Sequence, residues 1–300
     1  MTGALVVLMI VTWSYKPRDT IIQRFDPRAR IIFLGCAIFA IIQIWDVRAM
    51  LAWLALAVLA LRLSRIRWQE MKRFWFVVLP LITLFTTVTA LTGRDLTQAI
   101  GGSGEHFLWT VPVGFPGGAV WHVGLSVERL VFAAAQFARM LSLAILGLLV
   151  PFTINPALYG VAFRRLGLND KFAYATDLAF RLVPTVANDF QTTLDAQKAR
   201  GYELDRAGAN LFRQVRNLAP LVVPVTIGTI LGGEEIIDAM DLRAFGATPR
   251  RTWVMALEYD RRDLLLIAGG VLALLATTIA NILGYGEFWL PPALLRLLAF

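Results

Sequence analysis

Three long apolar windows constrain the fold of this 300-residue chain more than any other feature. They cover residues 74–93, 140–163 and 264–286, and none contains Asp, Glu, Lys or Arg. A helix that crosses about 30 Å of hydrocarbon needs about 20 mostly apolar residues, and each window reaches that length. The windows therefore predict an all-α fold, that of a polytopic helical membrane protein, and argue against a water-soluble globule.

Shorter apolar segments predict further helices in or near the membrane. Residues 31–45 and 49–61 are three residues apart and are predicted to form a tight helical hairpin. Residues 217–233 are apolar but contain two prolines, which indicates a kinked or partly sunken segment rather than a simple span. Residues 1–15 carry no charge, yet they lack the basic start of a secretory signal. We expect them to form an extra span or an interfacial helix.

The distribution of positive charge predicts the topology. The chain has 29 Lys and Arg residues against 21 Asp and Glu residues, a formal net charge of +8. Residues 16–30, 62–73 and 152–263 hold 24 of these cations, whereas residues 94–128 hold one. Because cytoplasmic loops are enriched in Lys and Arg, the three basic segments are predicted to be cytoplasmic and the fourth to be external. This explains the net charge without a nucleic-acid partner.

These assignments divide the chain into four regions. Residues 1–30 form an N-terminal segment with the expected extra helix and a cytoplasmic motif. Residues 31–151 form the transmembrane helices, with the external loop at about 94–128. Residues 152–263 form a cytoplasmic helical region, which is highly charged but nearly neutral, with 14 Lys and Arg against 13 Asp and Glu. Residues 264–300 form the final transmembrane helix and the C-terminus.

Two long amphipathic helices are predicted within the cytoplasmic region. Between residues 170 and 200, apolar residues recur at helical spacing, and the segment ends with Arg200 followed by Gly201. A cation in the last turn followed by glycine is a typical helix stop. A second helix is predicted over about residues 233–243, ending at Arg243.

The two predicted helix ends share a pattern. Residues 195–201 and 238–246 both contain Asp-Ala, three residues, Arg and then a nearby Gly, at a constant offset of 43 residues. An arginine at a helix end, where glycine turns the chain away, is free to project. Its planar, permanently charged guanidinium suits an acidic groove on another protein. The alternative is that Arg200 and Arg243 cap their own helix carbonyls or bind anionic lipid headgroups.

Several motifs occur in order along most of the chain. They are Asp26-Pro27-Arg28, residues 153–156, residues 164–168, residues 180–185, Ala199-Arg200-Gly201 and Arg243-Ala244-Phe245-Gly246. Together they resemble the transmembrane coupling (T) component of energy-coupling factor transporters, the vitamin and metal importers related to ABC transporters, a family that includes the cobalt-transport permease type. Each motif alone is weak, whereas their order and spacing are specific. The second arginine motif departs from the family's Ala-Arg-Gly because Ala244 and Phe245 precede the glycine.

The resemblance implies a mechanism and a set of partners. Arg200 and Arg243 are implied to lie at the ends of crossed coupling helices and to insert into grooves on two cytoplasmic ABC-type ATPase subunits. Ala199 and Gly201 would set the first helix end, and Ala244 and Gly246 belong to the second. ATP-driven motion would pass through this chain to one membrane substrate-binding (S) subunit that captures a vitamin or a transition-metal ion. The implied location is the plasma membrane of a prokaryote, with the lipid bilayer as a further partner.

The residues themselves argue against enzymatic chemistry. A P-loop requires lysine after glycine, and none of the four lysines follows one. One cysteine and two histidines leave too few soft ligands for a structural metal site. We therefore expect no enzyme, metal or cofactor, and ATP hydrolysis in partner subunits.

A stand-alone permease with its own substrate path is the alternative function. Arg139 motivates it, because it lies ten residues into a span drawn from Arg129 to Pro151, and a charge inside a span is a functional candidate. The competing interpretation of Arg139 is a structural pairing or a hydrogen bond to carbonyls of a neighbouring helix. Asp26, Pro27 and Arg28, like Arg139, are candidate structural or intramembrane polar residues. A self-contained carrier more often has repeated halves with broken helices at mid-membrane, whereas the repeat found in this chain is in its cytoplasmic region.

Overall fold

The computed structural model describes residues 15–92, 107–114, 120–202, 211–247 and 257–285. These residues form eight α-helices, a 3-10 turn and one two-stranded hairpin. The helices are α1 Pro27–Gln43, α2 Val47–Leu63, α3 Trp68–Thr92, α4 Val127–Thr153, α5 Tyr159–Arg165, α6 Asp170–Ala199, α7 Leu211–Leu242 and α8 Arg261–Ile282. The predicted helical membrane fold is confirmed. The helix expected over residues 1–15 lies, except for its last residue, outside the described part.

The chain divides into two compact units. The first consists of Ser14–Ile154 together with Glu258–Phe300, and the second contains Asn155–Leu257. Helices α1 to α4 and α8 therefore belong to the first unit, and α5 to α7 to the second. The boundaries lie close to the predicted cytoplasmic region at residues 152–263, although the side of the membrane on which that region lies stays a prediction.

Among the residues that the structure describes, four helices are long and apolar enough to cross a membrane, by length and composition. They are Trp68–Leu91, Glu128–Thr153, Pro220–Leu242 and Arg261–Ile282. The predicted windows at residues 74–93 and 264–286 fall on the first and last of these. The middle window, 140–163, coincides only with the second half of α4, because the first half of that helix contains two arginines and is not charge-free. It also ran past the real end of α4 at Thr153, where Asn155 caps a new turn.

Helices α1 and α2 begin in the same way. Asp26 precedes α1 and accepts a hydrogen bond from the backbone N–H of Arg28 at 2.8 Å, and Asp46 does the same for Arg48 at 2.9 Å. Each helix has 17 residues and is about 25 Å long, shorter than a full hydrocarbon core. The predicted pair of helices is present, but α1 packs mainly against α8 and α4, whereas α2 packs mainly against α4.

Small residues allow the close approach of α1 and α8. A Cβ atom added to Gly270 would lie 3.0 Å from a ring carbon of Phe33 and 3.3 Å from its Cα. Farther along the same pair of helices, the Thr278 hydroxyl donates to the Gln43 side-chain carbonyl at 2.9 Å. Close contact through small residues and interhelical hydrogen bonds is how membrane helices associate, since the hydrophobic effect does not distinguish lipid from apolar side chains. The first and last described helices are therefore direct neighbours.

The predicted external loop contains an antiparallel hairpin. Strand β1, Phe107–Gly114, pairs with β2, Val120–Ser126, and Val113 lies opposite Trp121. The hairpin leads directly into α4. It is an addition to the predicted all-helical fold, because the many glycines of this segment favoured an irregular loop.

The second unit is built on the long helices α6 and α7, which run antiparallel. Near the end of α6, the Gln197 side-chain amide lies 3.5 Å from the Pro220 carbonyl of α7, and near its start Tyr174 contacts Phe245, just beyond the end of α7. The sequence predicts a kinked segment at residues 217–233 and a separate helix at about 233–243. This division is wrong, because α7 is one helix of 32 residues with both prolines inside it.

Candidate functional site

Helix α6 ends in a tight backbone motif that places Arg200 at the last half-helical position. The N–H of Gly201 donates to the Lys198 carbonyl at 2.9 Å, and the N–H of Tyr202 donates to the Gln197 carbonyl at 3.0 Å. This pair of bonds defines a Schellman motif. It requires a left-handed residue, and Gly201 has φ +83°. Glycine adopts this conformation without the steric cost that a Cβ imposes.

Helix α7 ends in the same motif. The N–H of Ala244 donates to the Asp241 carbonyl at 2.9 Å, and the N–H of Phe245 donates to the Met240 carbonyl at 3.0 Å. Arg243 therefore occupies the position that Arg200 occupies in α6. The left-handed residue is Ala244, with φ +53°, rather than a glycine as the sequence pattern suggested. Gly246 also has a positive φ, +98°, but lies two residues farther along.

The two sequence patterns that lie 43 residues apart thus form the same backbone motif, with an arginine at the same position in each. Arg200 and Arg243 are both exposed, and neither guanidinium makes a hydrogen bond or an ion pair with another residue in the described ranges. Lys198, by contrast, lies 3.5 Å from Asp195 within the last turns of α6. Capping of their own helix carbonyls, the alternative role for the two arginines, does not occur among these residues. The backbone groups of each motif close the helix end without the side chain.

The two arginines lie at opposite ends of the α6–α7 pair. The contact of Phe245 with Tyr174 places Arg243 near the start of α6, whereas Arg200 ends that helix. Twenty-six residues separate Tyr174 from Arg200, which at about 1.5 Å per residue corresponds to about 39 Å. The pair therefore presents two similar cationic ends that are one helix length apart.

Two further contacts of the second unit could not be read from the sequence pattern. The rings of Tyr174 and Phe245 have centroids 4.5 Å apart, although the residues are far apart in the chain. The Pro220 carbonyl lacks its usual helical partner because Pro224, four residues later, has no N–H, and the Gln197 amide lies at hydrogen-bond distance instead. At the end of α6, burial raises the pKa of the Tyr202 hydroxyl.

The Asp26-Pro27-Arg28 motif forms a buried charged cluster in the first unit. The Asp26 carboxylate accepts from the Arg28 Nε at 3.0 Å and from an Arg28 terminal nitrogen at 2.7 Å. The backbone N–H of Asp26 donates to the Asp263 carboxylate at 2.8 Å. Asp26, Arg28 and Asp263 are 7%, 4% and 3% exposed. Buried charges require such pairing because their desolvation is costly.

The same cluster fixes the start of α8. Asp260 and Asp263 form a reciprocal capping box, in which the Asp263 side chain accepts from the Asp260 N–H at 2.9 Å. The Arg28 guanidinium lies 3.7 Å from the ring centroid of Tyr259. The motif thus joins the N-terminal segment to the last described helix. Asp263 and Tyr259 gave no signal in the sequence, because they lie more than 200 residues from Arg28 in the chain.

Arg139 binds to the end of a neighbouring helix. Its guanidinium donates to the carbonyl of Ile44, the C-cap residue of α1, and lies 4.4 Å from the ring centroid of Trp45. The Trp45 ring in turn stacks on Phe132 with centroids 5.6 Å apart. Arg139 is 8% exposed. This geometry matches the structural interpretation of the residue.

A cavity of about 110 Å³ lies elsewhere in the first unit. Its walls come from the N-terminal segment and from α1, α2, α4 and α8, and Arg139 is not among them. Apart from Arg30 and Thr153, the lining side chains are apolar, and the Arg30 guanidinium donates to the Thr153 carbonyl at 2.8 Å. The cavity offers little to recognise a polar substrate.

Comparison with known proteins places these features in a family. The sequence matches the cobalt transport protein family, CbiQ, over residues 18–254. The energy-coupling factor transporter transmembrane protein EcfT of Lactococcus lactis subsp. cremoris is 24% identical over 261 residues, covering 84% of this chain and 91% of that protein. The protein of the same name from Streptococcus equi subsp. equi is 27% identical over 271 residues, covering 86% and 91%.

A third relative has a different name and a greater length. The putative ABC transporter ATP-binding protein BL0043 of Bifidobacterium longum is 24% identical over 275 residues, covering 89% of this chain but 33% of that protein. The family match spans the buried Asp26 motif, Arg139 of α4 and both arginine helix ends. It covers well over half of the sequence, and the chain therefore belongs to the cobalt transport protein family, CbiQ.

Proposed function

We propose that the chain is the transmembrane (T) component of an energy-coupling factor transporter and that Arg200 and Arg243 dock cytoplasmic ATPase subunits. The observation that carries the docking assignment is the repetition of one helix end. Two Schellman motifs present two exposed arginines in the same backbone setting, at opposite ends of the α6–α7 pair. Equivalent surfaces suit two copies of one partner groove.

The chemistry of the groove follows from the arginine. A guanidinium offers a planar fork of donors that binds carboxylates in a bidentate manner. We therefore expect an acidic groove on each of two ABC-type ATPase subunits. The long Bifidobacterium relative supports this pairing, because its name is that of an ATP-binding protein. This chain has no P-loop in its sequence, and ATP hydrolysis belongs to the partners.

The composition of α6 supports an orientation of the α6–α7 pair along the cytoplasmic membrane surface. Helix α7 is apolar enough to span a bilayer, but it packs along α6, which carries seven charged side chains. Each charge at the centre of a spanning helix costs about 2.5–3.5 kcal/mol. A spanning α7 would draw α6 into lipid as well. Only the surface orientation keeps both arginines on the side of the ATPases.

The remaining partners follow from the exposed apolar residues of α7. In the described part of α7, seven of them are at least half exposed: Val222, Val223, Ile227, Ile230, Leu231, Ile237 and Leu242. They suit contact with a membrane S subunit or with the lipid surface. The S subunit would capture the substrate, a vitamin or a transition-metal ion, and the assembly would reside in the plasma membrane. A stand-alone permease is not favoured, because Arg139 is bound to a helix end rather than to a substrate path.

Charge reversal tests the docking assignment. We expect the double variant Arg200→Glu/Arg243→Glu to weaken ATPase binding more than 100-fold and to abolish uptake, because losing one partner of a buried, hydrogen-bonded charge pair costs about 2–5 kcal/mol. Binding would be measured with the purified membrane protein and its ATPase. Asp189→Lys, a charge reversal at an exposed position in the middle of α6 and outside the family motifs, is the matched control and should bind normally. Normal uptake by the double variant would overturn the proposal.

A further inference from the structure

We propose that the contact between Tyr174 and Phe245 positions Arg243, so that the helix carrying the first arginine also orients the second. This inference rests on the proposed docking function and deepens it. Tyr174 lies about one turn into α6, and Phe245 follows Arg243 by two residues. Their ring centroids are 4.5 Å apart with a tilt of 53°. Tyr174 belongs to none of the motifs that identify the family.

The start of α6 is well anchored, which makes Tyr174 a firm support. Asn169 caps the helix by accepting from the backbone N–H of Lys171 at 3.2 Å, and Asp170 pairs with Arg164 of α5. The rings of Tyr159 in α5 and Phe180 in α6 stack with centroids 5.1 Å apart. Because the cap and the contacts with α5 hold the start of α6 in place, the Tyr174 ring can fix the direction of the segment that follows α7.

The end of α7 needs such a support. Its turn residue, Ala244, has a Cβ in the left-handed region, which L-residues avoid. The strained turn persists only if contacts around it favour it over a relaxed chain end. Phe245 is the next residue, and its ring leaves the end of α7 to pack against α6. The aromatic contact therefore selects the turn that exposes Arg243.

Both docking arginines are consequently held by α6 and should move together with it. Arg200 terminates α6, and Arg243 is held near the start of α6 through Tyr174. A displacement of one ATPase would rotate α6 and shift the arginine that contacts the other ATPase. The expected partner is the same as under the proposed function. Each ATPase offers an acidic groove, and the α6–α7 pair binds one groove with Arg200 and the other with Arg243.

A double-mutant cycle tests this role with the full chain and its purified ATPase. An aromatic pair contributes about 0.5–1.5 kcal/mol beyond burial, so Tyr174→Leu should weaken ATPase binding about 2- to 12-fold. Tyr174→Phe keeps the ring and should bind within about 2-fold of the wild-type protein. If Tyr174 acts through Arg243, Tyr174→Leu should have no further effect in an Arg243→Ala background. It should retain its full effect in an Arg200→Ala background.

The outcomes separate this inference from the docking function. Equal weakening by Tyr174→Leu in both arginine backgrounds would mean a general loss of structure and would overturn the positioning role alone. Phe245→Leu provides a second variant of the same contact and should reproduce the dependence on Arg243. If Arg243→Ala itself bound the ATPase as tightly as the wild-type chain, the docking function would fail, and the positioning role would fail with it.

Discussion

At the scale of single residues, the end of α7 differs from the end of α6 in backbone strain, which is located at Ala244. The same backbone position is glycine in α6 and alanine in α7. An L-residue in the left-handed region costs about 1–2 kcal/mol, while glycine loses about 0.5–1 kcal/mol through the greater freedom of the unfolded chain. The two motifs are therefore equal in hydrogen bonding and unequal in strain.

This difference predicts opposite effects for the same type of substitution. Ala244→Gly should raise the free energy of unfolding by roughly 0.5–1 kcal/mol, because it removes the strain. Ala199→Gly, in the last helical position of α6, should lower it by up to about 1 kcal/mol, since the residue there is helical. Denaturant unfolding of the detergent-solubilised chain, followed by circular dichroism, would measure both. A destabilising Ala244→Gly would contradict the left-handed turn.

Other single residues show what local patterns can reveal. The sequence predicted that both arginines end helices, because cation and glycine signals are local. It could not reveal that Arg139 binds the Ile44 carbonyl or that Arg28 faces Tyr259, since both contacts join distant parts of the chain. The residues could be selected from the sequence, but their partners could not.

At the scale of elements, α7 shows why helix boundaries were harder to predict than helices. Two prolines suggested a break, yet the helix continues for 32 residues. Each proline removes one backbone donor, and packing along α6 compensates in part. The Pro220 carbonyl, left open by Pro224, lies beside Gln197 of α6. Packing against α6 thus stabilises a continuous α7 that its two prolines disfavour locally.

This compensation predicts a coupling between two positions. Gln197→Ala should lower the free energy of unfolding by about 0.5–1 kcal/mol in the wild-type chain, as expected for a long hydrogen bond. In the Pro224→Ala variant, which has a backbone N–H at position 224, the same change should cost almost nothing. Gln191→Ala is the matched control, because its amide binds Asp195 within α6 and should not depend on position 224. Additive effects of Gln197→Ala and Pro224→Ala would exclude the coupling.

At the scale of the whole molecule, the apolar windows predicted the helical membrane fold. They could not decide how α7 lies, because length and composition alone allow it to cross the bilayer. The decisive information is tertiary: α7 packs antiparallel to a charged helix. A long apolar helix packed against a charged one suits a membrane surface better than its interior.

The surface orientation predicts the accessibility of both helix ends. Cys36 is the only cysteine in the sequence, so a Cys36→Ser chain is a clean background for labelling. Asp195→Cys, near the end of α6, and Asp241→Cys, near the end of α7, should both react with a membrane-impermeant maleimide from the cytoplasmic side only. Both positions are exposed. Reaction of the two cysteines from opposite sides would mean that α7 spans the membrane.

The packing of α8 on α1 also has a consequence for biosynthesis. The α1 helix meets its main neighbour through Asp26 and Asp263 and through the close approach at Gly270, but α8 begins 218 residues after α1 ends. At a ribosome speed of about 5–20 residues per second, α1 waits roughly 10–45 s for this partner. During that interval the Asp26–Arg28 pair lacks the neighbours that later enclose it. Completion of the first unit is therefore a late, post-insertion event, in which the last of the described helices packs against the first of them.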